Sequence, residues 1–195
     1  MYYIIFLAIC LIGTILLAVV TCCARINTHK HKKDKYEQII MDNLKSKYLI
    51  DFFLILCERS FDYIRVYFIF QGIAKSVNGL SLLFTVSSLM LTASNGFLTD
   101  TKYFSSKEWG VMVSAISIIF VCIIIYVNPT KRSGQYLEAW RNTDKNIVKL
   151  IAMLQNYNKE EQKEYISNYE ELEKFAVACA NELSNGEFKI TSDEE

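Results

Sequence analysis

Residues Val77–Thr99, VNGLSLLFTVSSLMLTASNGFLT, are twenty-three in a row without an ionisable side chain. As a helix rising about 1.5 Å per residue they reach about 35 Å, the thickness of a bilayer's hydrocarbon core. A second uncharged run, Trp109–Asn128, ends at Pro129, the only proline. Between the two lies Asp100–Glu108, long enough for a reversal and little else. In lipid each backbone N–H and C=O must be satisfied within its own segment, so the pair reads as a transmembrane helical hairpin.

The first helix of that hairpin carries a pattern that a plain anchor does not need. Ser81, Thr85, Ser88, Thr92 and Asn95 recur at alternating steps of four and three, which places them on one face. On the second helix Gly110, Ser114 and Ser117 form a small-residue seam of the kind that lets spanning helices approach closely. Two readings of the hydroxyl stripe are open. It is an interhelical packing surface whose hydroxyls bond the carbonyl four residues back, or, in an assembly of several copies, it lines an aqueous path.

N-terminal to the hairpin, Tyr2–Cys23 is another apolar run of spanning length, without the positive leader of a secretory signal, and reads as a retained anchor. The run Arg25–Lys35 after it is the densest positive cluster in the chain, which places that side in the cytoplasm and the N-terminus outside. Three crossings then return Lys131 and Arg132 to the cytoplasmic side, with the balanced charges of Asp100–Glu108 outside and Tyr126 near the inner headgroups. This predicts a multi-pass membrane protein with three spans. Asp34–Lys75 is amphipathic, with no helix breaker before Gly72 and with Glu58, Arg59, Asp62 and Arg65 on a solvated or mutually paired face.

C-terminal to the hairpin, a turn over Thr130–Gly134 is expected, then a helix from about Gln135. Its heptad-like seam is Leu137, Trp140, Asp144, Ile147, Ile151 and Leu154, in which Asp144 is the one polar member and Trp140 a packing residue. Asn158 and Glu161 read as the cap of a further helix whose seam is Ile166, Tyr169, Leu172, Ala176, Cys179 and Leu183. The two seams can close on each other as an antiparallel pair or serve as an oligomeric coiled-coil stalk. The expected fold class is thus an all-α membrane protein: N-terminal transmembrane helix, amphipathic cytoplasmic helix, transmembrane helical hairpin and C-terminal cytoplasmic helices. Its regions are 1–24, the anchor; 25–75, the basic run and amphipathic helix; 76–129, the hairpin; 130–184, the cytoplasmic helices; and 185–195, an acidic tail.

Composition agrees with this layout. The 195 residues have zero formal net charge, unevenly distributed: Lys159–Glu195 holds eleven acidic residues against four lysines. One proline and seven glycines favour long uninterrupted helices. The six cysteines show no Cys-x-x-Cys or Cys/His ligand spacing, and Cys22-Cys23 beside the basic run are ordinary small membrane residues or, less simply, a lipid acceptor. His29 and His31, the only histidines, read as solvated members of the basic run rather than as a metal pair. No phosphate-binding, dinucleotide, zincin or hydrolase motif occurs, so neither enzyme activity, cofactor nor metal is expected. Membrane proximity accounts for the basic run without nucleic acid.

The residues from about Ile40 to Leu154 resemble the SLATT superfamily, two-transmembrane effector domains of bacterial nucleotide-dependent conflict systems. The resemblance rests on the order of parts: an amphipathic helix with Arg59-Ser-Phe-Asp-Tyr-Ile-Arg65, a hairpin with a short outer turn, and a helix opening after Asn128-Pro129 with Tyr136-Leu-Glu-Ala-Trp140. It implies an oligomeric pore-forming effector in antiviral defence, triggered by a nucleotide second messenger or a signalling protein. In that reading Ser81, Thr85, Ser88, Thr92 and Asn95 are candidate pore-lining or interface residues, and Gly110, Ser114 and Ser117 pack the helices. Leu137, Trp140, Ile147, Ile151 and Leu154 are the candidate oligomer seam. The span at Tyr2–Cys23 is additional to the two-helix pattern. The alternative expectation is a non-channel scaffold that recruits a soluble partner through its cytoplasmic helices.

Overall fold

A computed structural model describes residues 2–93, 106–157 and 170–182, all but a few of them helical. The helices are α1 (Tyr2–Asn43), α2 (Lys47–Ala93), α3 (Ser106–Val127), α4 (Pro129–Tyr157) and α5 (residues 170–182). The fold is all-α, and three of its helices are long and apolar enough to cross a membrane. The helices assort into two compact units, residues 1–23 with 69–132 and residues 24–68 with 133–195. The expected seam members Ile166, Tyr169 and Leu183, the cap at Asn158 and Glu161, and the acidic tail lie outside the described residues.

Two breaks fall where periodicity does not place them. The expected amphipathic helix over Asp34–Lys75 is interrupted at residues 44–46: Leu44 N–H closes the last bond of α1 on the Ile40 carbonyl at 3.0 Å, and Ile50 N–H opens α2 on the Ser46 carbonyl at 3.0 Å. Serine is favoured as the residue that starts a helix. The apolar period runs through the break because Ile40 and Leu44 before it, and Leu49, Phe53 and Leu56 after it, all face one core. The amphipathic stretch and the first hairpin helix are then one continuous 47-residue helix, α2.

The second correction concerns α4, which begins at Pro129 rather than near Gln135, so Thr130–Gly134 is helical and not a turn. Asn128 performs the change of direction. It is the only described non-glycine residue at positive φ, 40°, a region asparagine tolerates better than most residues. Its N–H still bonds the Ile124 carbonyl at 3.1 Å, its own carbonyl accepts from Arg132 N–H at 3.1 Å, and its Oδ1 accepts from Lys131 N–H at 3.4 Å. One residue thus ends α3 and caps α4, and proline sits at the first helical position, where its missing N–H costs no bond.

In the first unit α2 and α3 run antiparallel, with Thr85 beside Ser117 and Ser88 beside Ser114. Its apolar centre is small: Leu80, Phe84 and Val113 are buried, with Leu11, Leu83 and Phe120 against them. The second unit has a larger core. Ile40, Leu44, Leu49, Phe53, Leu56, Cys57, Ile147, Leu150, Ile151, Leu154, Leu172 and Ala176 form one buried cluster drawn from α1, α2, α4 and α5. Asn146 Nδ2 donates to Glu182 at 2.6 Å and the Lys149 ammonium lies over the Phe175 ring at 5.0 Å, so α4 and α5 close as an antiparallel pair within the chain.

Candidate functional site

Among the described residues each unit holds a polar arrangement that apolar packing alone does not require. In the spanning unit it is the hydroxyl seam. Thr85 Oγ1 donates to the Ser81 carbonyl at 2.7 Å and shares a hydrogen bond of 2.7 Å with Ser117 Oγ. One turn further Ser88 Oγ bonds Ser114 Oγ, and both reach the Gly110 carbonyl, at 3.4 Å from Ser88 and 2.8 Å from Ser114. Ser117 Oγ also lies 3.5 Å from the Ser81 carbonyl. The stripe on α2 and the small-residue seam on α3 are therefore brought together as two rungs between adjacent helices. Gly110 is buried, and its carbonyl accepts hydroxyls from two helices. The side chain of Thr92, and Asn95 altogether, lie outside the described residues.

In the second unit the arrangement is a cation–aromatic junction of α1, α2 and α4. The Lys32 ammonium bonds both oxygens of Asp144, at 3.0 and 2.9 Å, and lies 5.2 Å from the Tyr36 ring and 5.9 Å from the Trp140 ring. The His29 ring sits 5.5 Å from both Phe68 and Trp140, edge-on to the indole. Arg25 lies over Phe68 and Lys33 over Phe61, while Lys33 also pairs with Glu37 at 3.4 Å. Burial, aided by the neighbouring Lys32 charge and opposed by Asp144, holds the His29 imidazole below its ordinary pKa, so it is neutral near pH 7. Burial pulls the Lys32 ammonium down, but its hydrogen bonds to Asp144 and Tyr36 outweigh it and the net direction is up. The small cleft among these residues reaches Cys57, whose thiol burial pushes up to about 12. That thiol stays protonated and is no nucleophile at neutral pH.

Sequence reasoning read the run Arg25–Lys35 as solvated charge and passed over this junction. The signal was present. Arg25, His29, Lys32, Lys33 and Tyr36 share one helical face, of which all but the exposed Arg25 are half-buried, while Asn27, Thr28, Lys30, His31, Asp34 and Lys35 are exposed. Asp144, the lone acid in an apolar seam, called for a cation, and Lys32 supplies it from 112 residues away. The other members of that seam face the unit's own interior: Ile147, Ile151 and Leu154 are buried, while Leu137 and Trp140 are half-buried. Glu58, Arg59, Asp62 and Arg65 are exposed on α2. Among the described residues no cluster of histidine, cysteine and carboxylate could hold a metal ion. No protein-family model, curated protein or solved structure matches the chain.

Proposed function

We propose that this membrane-embedded helical protein is an effector of the cell inner membrane, its N-terminus outside and its C-terminus cytoplasmic. In this reading it assembles into a homo-oligomer and forms or gates a pore in antiviral defence, on a signal from a nucleotide or a partner protein. The observation that carries the reading is the pair of hydroxyl rungs between α2 and α3. In lipid a helix pair is held well enough by small residues alone. Hydroxyls in register supply in addition a seam whose bonds water can replace at little cost. The zipped hairpin is then the closed form, and opening trades the Thr85–Ser117 and Ser88–Ser114 bonds for water. An opening signal must bind the open arrangement more tightly than the closed one, or it shifts nothing. Since Ile147, Ile151 and Leu154 are engaged within the chain, assembly uses other surfaces or follows their release.

The test is ion or dye release from liposomes that hold the full chain, with candidate nucleotides or lysate fractions added to either face. Wild type is expected to conduct under one of them, and Ser88→Leu/Thr92→Leu to insert normally and stay tight. Unchanged release from that variant would remove the stripe from the pathway. A second reading, a non-channel scaffold, is favoured by the in-chain pairing of both rungs and of the α4 and α5 seams. It expects no conduction under any signal, together with capture of a soluble partner by the full chain. The Gln135–Glu195 fragment alone is unsuited to that assay, because it lacks Ile40, Leu49 and Phe53 from the core it shares.

A further inference from the structure

The helix α5 is the lightest member of the second unit's core. Of the twelve residues in the buried cluster it supplies two, Leu172 and Ala176, and the chain from Ile40 to Cys57 together with α4 supplies the rest. Its buried stripe is narrow: Leu172, Ala176 and Cys179, with Phe175 half-buried among them, while Glu170, Glu171, Glu173, Lys174 and Val177 are exposed. At thirteen residues, 170–182, α5 has a length at which an isolated helix is marginal in water. The groove it lies in therefore holds it, and it is the element of this unit that opens at least cost.

The groove cannot stand bare. Phe175 stacks on Phe53 with ring centroids 6.5 Å apart, and Phe53 is fully buried, so departure of α5 would put a phenyl ring and the apolar cluster around it into water. The groove is also selective. Lys149 lies 5.0 Å from the Phe175 ring and Asn146 Nδ2 donates to Glu182 at 2.6 Å, so an occupant must carry an aromatic ring and, two helical turns on, an acceptor. Every copy of this chain carries that helix. Its tether is generous: twelve residues, 158–169, join α4 to α5, where paired helices are commonly joined by about 2–8. Twelve residues can reach about 40 Å when extended.

We propose that the groove formed by α1, α2 and α4 accepts α5 of a second copy, so that copies associate by exchanging this helix. The inference rests on the reading that the protein assembles, and it names the surface that assembly uses. Exchange recreates between copies every contact that the closed chain makes within itself, so the apolar seam of α4 joins copies without ever facing water. What decides between closed and exchanged forms is the tether and the crowding of copies in the membrane.

The experiment uses the full chain prepared in natural-abundance and nitrogen-15 forms, mixed in equal amounts in detergent and reconstituted together into liposomes. An amine-reactive cross-linker is applied, and peptides joining Lys149 to Lys174 are read by mass spectrometry. Lys149 lies over Phe175, the neighbour of Lys174, so this link reports α5 seated in the groove. Links that combine the two isotopes are expected, rising toward about half of all such links if exchange is complete and random. Leu172→Asp, which puts a charge on the buried stripe, should lose the mixed link while the chain still inserts. Same-isotope links alone, with oligomers present by mass photometry, overturn the exchange and leave the assembly reading standing. Single copies alone overturn both. Mixed links that survive in Leu172→Asp show copies meeting outside the groove and also overturn the exchange. The wild-type isotope pattern decides by itself, whether or not that variant folds.

Discussion

The two units use the same secondary structure and hold it together in opposite ways. In the spanning unit two hydroxyl rungs and a small apolar centre join the helices, and large side chains such as Leu89, Ile118 and Ile125 point outward. In the other unit twelve buried residues form the centre, and charges and aromatics sit at its margin. The solvent explains the difference. Lipid tails are as apolar as leucine, so burying leucine between helices gains little there and small residues with hydrogen bonds decide the fit, whereas in water the apolar surface must be hidden.

The comparison breaks most easily on phenylalanine. Phe53→Ala removes a fully buried ring from the water-type core and is expected to cost about 3–5 kcal/mol. Phe84→Ala, at a buried position in the hairpin, should cost distinctly less in detergent melting, because a detergent or lipid tail can fill the gap. Equal losses would mean that both units fold by the same force.

Next in size is the joint between α3 and α4. Asn128→Val places a β-branched residue at φ 40° and removes the cap on Lys131. A loss of about 2 kcal/mol is expected. Asn128→Gly, which suits the angle, should cost only a few tenths. Similar losses in both variants would show that the joint matters for something other than backbone angle.

The junction in the second unit comes third. Asp144→Ala should destabilise that unit by about 1 kcal/mol, a figure well under that for a deeply buried pair because Lys32 is 40 % exposed. It should speed amide exchange in residues 24–43 and 133–157 and leave the hairpin unchanged. Smaller again is a pH effect at the same place. The His29 pKa is lowered in the fold, so below about 6.5 the unfolded chain binds more protons than the folded one. The stabilisation is complete above that value and is lost as pH falls toward the folded pKa. Melting of His29→Gln across pH 5–7.5 should be flatter than wild type, and parallel curves would remove histidine from the account.

The smallest effect tests the hairpin on its own terms. A double-mutant cycle with Thr85→Val and Ser117→Ala should give a coupling of about 0.6 kcal/mol, the usual size for hydroxyl pairs in lipid. Zero coupling would leave the rungs as mere filler between close helices.

The three apolar runs, the two-helix hairpin and the hydroxyl stripe with its small-residue counterpart were all legible in the sequence. Charge-free runs of bilayer length have few other uses, and helical period alone places Ser81, Thr85 and Ser88 on one face and Gly110, Ser114 and Ser117 on another. The break at residues 44–46 and the start of α4 at Pro129 were not. Residues on both sides of the first favour a helix, and the second depends on one asparagine taking a left-handed angle. Only the tertiary structure decided which half of the basic run faces inward and that Asp144 is its partner. Local periodicity sorts residues by face, but it carries no information about which distant face will come to lie against it. A pairing across 112 positions exists only once α1 and α4 share the core of one unit.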